Sequence, residues 1–345
     1  MLRSTAWPAS ARAADTAHVE ASAGRAGAGP ADRLAFAERV ASSASVLAAG
    51  TAGSAFATLA AVAAADVALA RTVEPHLDAL GILAQAGLTP PAASTWGVFA
   101  AEAPGLRLTA TTDDDGTVRL DGTKPWCSLA STLSHALVTA HVGDERQLFA
   151  VDLRQERITT HDEDWVARGM PDVASGPVDF ASARATAVGA PGWYLARPGF
   201  AWGGIGVAAC WWGGAVGLAR VLRGHVADRP GSELLQAALG ATVGDLADAE
   251  DALADAAARI DRTAGGSADD EDWSLLAQTV RSRVRRSVDA VRRRVVATIG
   301  PAPLTSDPAV AARVADLELY VLQDHGERDL ARIGRKVLER GGVAW

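Results

Sequence analysis

The hydrophobic period of this 345-residue chain changes twice, and the changes divide it into three parts. In residues 31–95 apolar side chains recur every three or four residues, which is typical of helices that bury one face. In residues 96–200 they alternate with polar ones, as at Leu106 and Leu108, which is typical of half-buried strands. The helical period returns in residues 201–345. This order predicts an α+β multidomain protein with a short N-terminal helical domain, a β domain and a C-terminal helical domain.

Turn residues indicate where the elements of these domains begin and end. Asp-Asp-Asp-Gly at 113–116 predicts a hairpin, and further short strands separated by Pro and Gly predict a compact β-barrel or sandwich. Breaks at 228–232, 263–267 and 300–308 predict a C-terminal four-helix bundle. Its helices are expected at 203–226, 233–263, 271–299 and 308–340. Residues 1–30 are rich in Ala, Gly and Pro without a period, so we expect a disordered tail.

The composition excludes several classes of protein. Hydrophobic residues make up 49% and charged residues 21% of the chain, which is typical of a folded globular protein. A formal net charge of −8 provides no positive field for binding nucleic acid. Cys127 and Cys210 are too few for a disulfide framework or a cysteine-based zinc site, and no histidine spacing indicates a metal. The uncharged segment 46–65 consists mostly of small residues, so we expect no membrane span and a cytoplasmic protein.

The densest motif is Leu-Asp-Gly-Thr-Lys-Pro-Trp-Cys-Ser-Leu-Ala at 120–130, after the predicted hairpin turn. We place the motif on the second strand of this hairpin, so Trp126 and Ser128 are expected to point to the same face, because side chains two apart share a face of a strand. An aromatic ring beside a hydroxyl can bind a planar heterocycle by stacking and by a hydrogen bond. Taken alone, the spacing is more typical of a half-buried strand with a packed tryptophan than of a ligand site.

This motif resembles the flavin-facing strand of the acyl-CoA dehydrogenase superfamily, whose mark is G-x-K-x-W-[IC]-[TS]. Further resemblances follow in the same order along the chain, at 74–83, 96–104, 169–180, 191–200 and 213–222. Together they extend over roughly residues 34–335, and the family's order of domains is the one that the hydrophobic period predicts. The chain is identified as a divergent member of this superfamily, with some likeness to the related flavin monooxygenases.

The resemblance implies an FAD bound between the β domain and the C-terminal helices. Trp126 would lie against the isoalloxazine ring, and the Ser128 hydroxyl would reach its N5 edge. Arg229 matches an arginine that binds the pyrophosphate of a neighbouring subunit's FAD, and Gly300 matches a loop near the adenine. The loop that begins at Ala101 resembles a shortened form of the family's phosphate-contacting loop. Because the flavin is shared between subunits in this family, a homodimer or homotetramer is implied.

The resemblance places the catalytic base at the end of the chain's helical region. The family's usual glutamate falls on Asp324, with His325 next to it, whereas the alternative glutamate position falls near Val207, which cannot accept a proton. Monooxygenases of the dibenzothiophene-oxidising type have a histidine in a similar helix, which His325 approximately matches. The alternative is a solvated helix face on which Asp324 pairs with Arg328 four residues on.

These observations leave three functions open. The first, which is our leading hypothesis, is α,β-desaturation of an acyl-CoA or carrier-protein thioester, with hydride transfer to FAD N5. The second is flavin-dependent monooxygenation by a protein of the same fold, which the absent glutamate and His325 favour. The third is a catalytically silent relative that acts as a binding subunit, because the loop at 101–105 is shortened. Each function predicts a different response of a bound flavin to an acyl thioester and to oxygen.

Overall fold

The computed structural model describes residues 4–266 and 271–342, and they form helices, then a sheet, then helices. This is the predicted order of secondary structure. The first part contains α1 (Ala9–Ala13), α2 (Thr16–Ala23), α3 (Pro30–Ala41), α4 (Ala52–Ala65) and α5 (Val67–Gln85). Asp66 ends α4 in an extended conformation and caps α5, because its carboxylate accepts a hydrogen bond from the N–H of Leu69. Helix α5 continues through Pro75.

Residues 4–30 are not a disordered tail, so that expectation is wrong for the described part of the segment 1–30. Helices α1 and α2 pack against α4. The Trp7 side chain is 2% exposed, and its indole N–H donates a hydrogen bond to Glu250 at 3.0 Å. The Ser10 hydroxyl donates to Asp261. The sequence period did not reveal these helices, because contacts with distant residues stabilise them.

The β domain is one seven-stranded sheet. Its strands are β1 (Trp96–Phe99), β2 (Leu108–Thr112), β3 (Val118–Lys124), β4 (His135–Val142), β5 (Glu145–Asp152), β6 (Ile158–Thr160) and β7 (Val178–Val188). Strands β2 and β3 form the predicted antiparallel hairpin, with Ala110 opposite Leu120. The pairings β4–β2–β3–β7–β5–β4 return to their starting strand, with β1 parallel to β4 and β6 antiparallel to β7 at the margins. This ring buries one face of each strand around a shared core.

The C-terminal part begins with α6 (Trp193–Ala196) and α7 (Pro198–Ala227), and continues with α8 (Glu233–Arg262) and α9 (Trp273–Ile299). It ends with α10 (Pro301–Ser306), α11 (Pro308–Tyr320) and α12 (Glu327–Glu339). The helix expected at 308–340 is therefore two helices. The chain turns between them at Gly326, which has a φ of 58° that favours glycine, and α12 packs on α9. Three of the four expected helices thus have nearly the predicted bounds.

Helix α7 lies at the centre of the molecule, between α4, α8 and α9. Gly213 permits its close approach to α4, because a Cβ at this position would clash with the backbone of Ala60. By length and apolar composition α7 could cross a membrane, but 72% of its most apolar window is buried inside the protein, as in a core helix. The β domain meets the helices where the N–H of Met170 donates to the Asp316 carboxylate at the middle of α11.

Candidate functional site

A cavity of about 620 Å³ lies between α5, α7, α9 and the segment that joins α11 to α12. This volume is in the range of cavities that bind a small molecule. Aromatic rings, carboxylates and guanidinium groups line it, among them Glu74, Asp78, Tyr194, Arg197, Phe200, Trp273, Arg281, His325 and Asp329. Val207 also lines it. Two of the positions at which the resemblance places a base, His325 and Val207, therefore meet in one cavity.

Glu74 and Asp78 face this cavity from α5. They are four residues apart, so they lie on one side of the helix. Burial raises the pKa of Glu74 to about 7, although the Arg71 guanidinium, 3.8 Å from its carboxylate, acts in the opposite direction. Burial also raises the pKa of Asp78, against the charge of Arg197. Glu74 is thus suited to holding a proton near neutral pH, and both carboxyl groups are placed where they could pair with a cation.

Asp324 is enclosed by contacts outside this cavity. Its side chain is 4% exposed and accepts hydrogen bonds from the Arg285 guanidinium at 3.0 Å and from the N–H of Gly326 at 2.8 Å. The partner is Arg285 of α9, rather than Arg328 as the solvated-helix alternative expected. This carboxylate fixes the turn between α11 and α12.

His325 is placed differently from its neighbour in sequence. Its side chain is 59% exposed and lines the cavity. The Asp329 carboxylate lies 3.4 Å from its Nδ1 and also accepts a hydrogen bond from its backbone N–H at 3.1 Å. Asp329 therefore places a negative charge beside this imidazole and holds the backbone of His325 through a hydrogen bond. Of the two candidate bases, His325 is the one that reaches the cavity.

Trp126 and Ser128 do not share the face of a strand, so the strand interpretation of this motif is wrong. Strand β3 ends at Lys124, because Pro125 has no N–H to donate to the sheet. Trp126 then turns with a φ of 54°, which leaves its side chain 56% exposed, whereas Ser128 is 7% exposed. The indole remains on the surface of the β domain as an accessible planar group.

The Ser128 hydroxyl is already fully used within the protein. It accepts a hydrogen bond from Arg71 at 3.0 Å and lies 2.7 Å from the Ser175 hydroxyl. Because Ser175 donates its own proton to the carbonyl of Val173, Ser128 is the donor in the pair. No proton of Ser128 is left for the N5 edge of a flavin.

Arg71 has hydrogen-bond donors of the kind that the flavin edge needs and that Ser128 cannot provide. Only its Nη2 group donates a hydrogen bond to a described residue, and its guanidinium lies 6.0 Å from the centre of the Tyr320 ring. An exposed indole and a largely buried guanidinium suit a planar ring with hydrogen-bond acceptors at its edge, which describes a flavin. Each of these two residues, Trp126 as a stacking face and Arg71 as a donor, thus has a chemical property that a flavin site uses.

The remaining predicted cofactor residues lie at three separate places. Ala101 follows β1, and the next residue, Glu102, accepts a hydrogen bond from Lys124 at 2.7 Å, so this loop lies beside the end of β3. Arg229 is exposed just after α7 and donates to the carbonyl of His225. Gly300 separates α9 from α10 with a φ of 71°. Within the described ranges, no hydrogen bond or ion pair joins Arg229 or Gly300 to the other predicted cofactor residues, which are Trp126, Ser128 and Ala101.

Sequence reasoning missed Arg71, Glu74 and Asp78. All three lie on α5, whose apolar period indicated a buried helix and directed attention to its hydrophobic face. The available signal was the pair of acidic residues four apart within that apolar helix. An acidic pair in a largely buried helix requires a partner or a function.

The comparisons with known proteins identify the fold. No model of a known protein family matches the chain, and no curated protein matches it. Among solved structures, it is similar to FMN-bound TdsC from Paenibacillus sp. A11-2, with a TM-score of 0.77, 15% identity and coverage of 94% of this chain and 95% of that one. It is similar to the methanesulfinate monooxygenase MsuC from Pseudomonas fluorescens, with a TM-score of 0.77, 17% identity and 99% of both chains covered.

A third similar structure is butyryl-CoA dehydrogenase from Megasphaera elsdenii, with a TM-score of 0.71, 16% identity, and 83% of this chain and 82% of that one covered. The chain therefore has the acyl-CoA dehydrogenase fold, as the sequence resemblance predicted. Proteins with this fold include both dehydrogenases and monooxygenases, so the fold alone does not determine the reaction.

Proposed function

We propose that this protein is a flavin-dependent oxidoreductase that oxygenates a small substrate in the cavity beside α5. The observation that supports this reaction is the contrast between Asp324 and His325. A desaturase needs a carboxylate at the substrate's α-carbon, but the Asp324 carboxylate is held by Arg285 and does not line the cavity. His325, which matches the histidine of the monooxygenases, does line it.

In this proposal a flavin binds against Trp126 and Arg71, and in its reduced form it supplies the electrons for activating molecular oxygen. FAD was predicted from the sequence, and the FMN of TdsC makes FMN a second choice. Asp329 beside Nδ1 favours the His325 tautomer that carries its proton there, so Nε2 is available to exchange a proton with the substrate. The other cofactor residues, Ser128, Ala101, Arg229 and Gly300, stay predictions from the resemblance.

Desaturation of an acyl thioester is the second candidate, and one observation favours it. Glu74 has a pKa of about 7 and lines the cavity, so its carboxylate could take the α-proton in place of Asp324. The apolar side chains of Phe200, Val207 and Trp273 could contact an acyl chain. The homodimer or homotetramer and the cytoplasmic location stay predictions under either candidate.

The experiment is to supply reduced FMN or FAD, under ¹⁸O₂, with probes taken from the proteins of the same fold. Indole and methanesulfinate test oxygenation, and butyryl-CoA tests desaturation. We expect ¹⁸O in the product of an oxygenation probe and no reduction of oxidised flavin by butyryl-CoA under nitrogen. Anaerobic reduction by butyryl-CoA, without incorporation of oxygen from any probe, would show that the second candidate is right.

Trp126→Ala tests the cofactor site separately from turnover. We expect flavin to bind about tenfold more weakly, because an aromatic stacking partner contributes on the order of 1 kcal/mol. Thermal unfolding should be nearly unchanged, since this side chain is 56% exposed. If no flavin binds to the unsubstituted protein either, the silent binding subunit becomes the remaining interpretation.

A further inference from the structure

We infer that the cavity takes a substrate with a basic amine, which binds as an ammonium group against Glu74 and Asp78. The inference rests on the proposal that this cavity is the substrate site, and it names the class of substrate. Within the described parts of the chain, neither carboxylate accepts a hydrogen bond, and only Glu74 has an ion pair, with Arg71 at 3.8 Å. Two carboxylates that face a half-open cavity without hydrogen-bond donors from the protein leave their oxygens available to donors of a ligand.

The other carboxylates around the same cavity show that these two are exceptional. Asp329 pairs with Arg332 at 2.7 Å, and Asp272 accepts hydrogen bonds from both Lys336 and Arg340. Glu271 on the same rim pairs with Arg259 at 3.1 Å. The acidic groups near α9 and α12 therefore have cations at hydrogen-bond distance, whereas on α5 Glu74 has only the ion pair with Arg71 at 3.8 Å and no ion pair of Asp78 is found among the described residues.

Two further guanidinium groups that line the cavity, those of Arg281 and Arg197, donate their hydrogen bonds to groups other than the α5 pair. Arg281 donates from Nη1 to the carbonyl of Gly204 and from Nη2 to the carbonyl of Gln323. Arg197 donates to Gln85 at 2.8 Å. In addition, the Arg197 Nε, in a side chain that is 8% exposed and lines this cavity, has no acceptor among the described residues. The cavity wall thus has polar groups of both signs that the protein itself leaves unpaired, as expected where a polar ligand binds.

The chemistry of the wall favours an organic cation over a metal ion. No group of three or more His, Cys, Asp or Glu side chains in the described ranges could hold a metal. The rings of Phe200 and Trp273 line the cavity as well, and aromatic faces attract ammonium groups. Paired carboxylates with nearby aromatic rings fit a primary or secondary amine.

Equilibrium binding without turnover tests this inference. The full-length protein with oxidised flavin is titrated calorimetrically at pH 8 with benzylamine and with benzyl alcohol, which differ only in the polar group. We expect benzylamine to bind at least about tenfold more tightly, as for a charge-assisted hydrogen bond. Equal affinities, or no binding of benzylamine and of a smaller amine such as ethylamine, would overturn the inference.

Two variants and a control locate the binding. Glu74→Gln and Asp78→Asn keep the shape of each side chain, and each should weaken benzylamine binding about tenfold. Glu271→Gln removes a carboxylate that Arg259 already holds, so the affinity should change less than twofold. If Glu74→Gln unfolds cooperatively, with a melting temperature no lower than that of the unsubstituted protein, and still binds benzylamine with the same affinity, the amine lies elsewhere and the inference is wrong.

The outcome is separable from that of the proposed function. Amine binding that depends on Glu74, without oxygenation of any probe, would contradict the proposed oxygenation but support the inference that the ligand is an amine. If the protein oxygenates a probe but binds benzylamine and benzyl alcohol equally well, the inference of an amine ligand is wrong and the proposed oxygenation stands.

Discussion

Two pairs of acidic residues flank the cavity, and their surroundings are opposite. Asp324 and Asp329, at the segment between α11 and α12, are held by Arg285 and Arg332. Glu74 and Asp78, on α5, accept no hydrogen bond from a described residue, and burial raises the pKa of both. The comparison teaches that the acid found by motif position can be structural, while the acids in a helix that looked like core remain available for chemistry.

The largest expected effect is from Asp324→Ala. It removes the partner of Arg285 and the acceptor for the N–H of Gly326, so we expect a loss of about 4 kcal/mol in the free energy of unfolding, measured by urea denaturation. Asp324→Asn, which can still accept from Gly326, is the control and should lose less. A loss below about 1 kcal/mol with a changed pH profile of activity would mean that Asp324 acts as a base, and the comparison would fail.

The next effect concerns Glu74→Gln and the pH dependence of stability. An acid whose folded pKa is raised to about 7 destabilises the fold as pH increases from the unfolded value of 4.5 to 7. We therefore expect the variant to gain about 3 kcal/mol relative to the unsubstituted protein above pH 7, and nothing below pH 4. The measurement is the difference between the two proteins in the free energy of unfolding across this pH range.

The difference between the two proteins is the quantity to measure, because His76 changes the stability of the fold with pH in the opposite direction to Glu74. Burial lowers its pKa from 6.5 to about 4, so the fold gains stability from His76 as pH increases between these values. The unsubstituted protein alone shows the sum of the two groups. If its pH dependence parallels that of the variant throughout, the Glu74 carboxyl does not titrate near neutral pH in the fold.

The third effect is smaller and concerns the link between the two sites. Arg71→Met removes the positive charge beside Glu74 and the hydrogen bond to Ser128, which should cost about 1 kcal/mol of stability. The pKa of Glu74 should rise further, because the guanidinium lowers it. Infrared titration of the carboxyl band measures this pKa directly, with Glu74→Gln to assign the band. An unchanged band would show that Arg71 does not control Glu74.

The smallest effect is expected at the paired end of the cavity. Arg332→Ala removes the partner of Asp329, but the arginine is 50% exposed, so the loss of stability should be about 0.5 kcal/mol. It should vanish in 1 M salt, where exposed charges are screened over about 3 Å. A loss of several kcal/mol would show that the paired acids depend on their cations far more than the comparison assumes.

The sequence was sufficient for elements whose period and caps are local. The helix predicted at 233–263 is observed as Glu233–Arg262, and its first turn is capped by Ser232. The hairpin around 113–116 was equally predictable, because turn residues and the alternation of apolar and polar side chains specify it within about a dozen residues. The break within 308–340 had only Gly326 as its signal, and the helical period continues on both sides of it.

The candidate site was harder to predict from the sequence, since its residues come from distant parts of the chain. His325 could be found by resemblance, and the structure places it in the cavity. The accessible Trp126 followed from a motif, but its orientation depends on Pro125 and a positive φ. The spacing of Glu74 and Asp78 in an apolar helix was a signal, but only packing shows that both face a cavity. Arg71 had no such signal, because its hydrogen-bond partner Ser128 lies 57 residues further along the chain.

By itself, the sequence determined the order helices, sheet, helices, and most helix bounds, because hydrophobic period and turn residues act over a few neighbouring residues. Only the tertiary structure decided which acids are paired. Arg285 lies 39 residues before Asp324 along the chain, and no sequence period records their contact. Pairing and burial together set the charge of a carboxylate, and both are properties of the assembled helices.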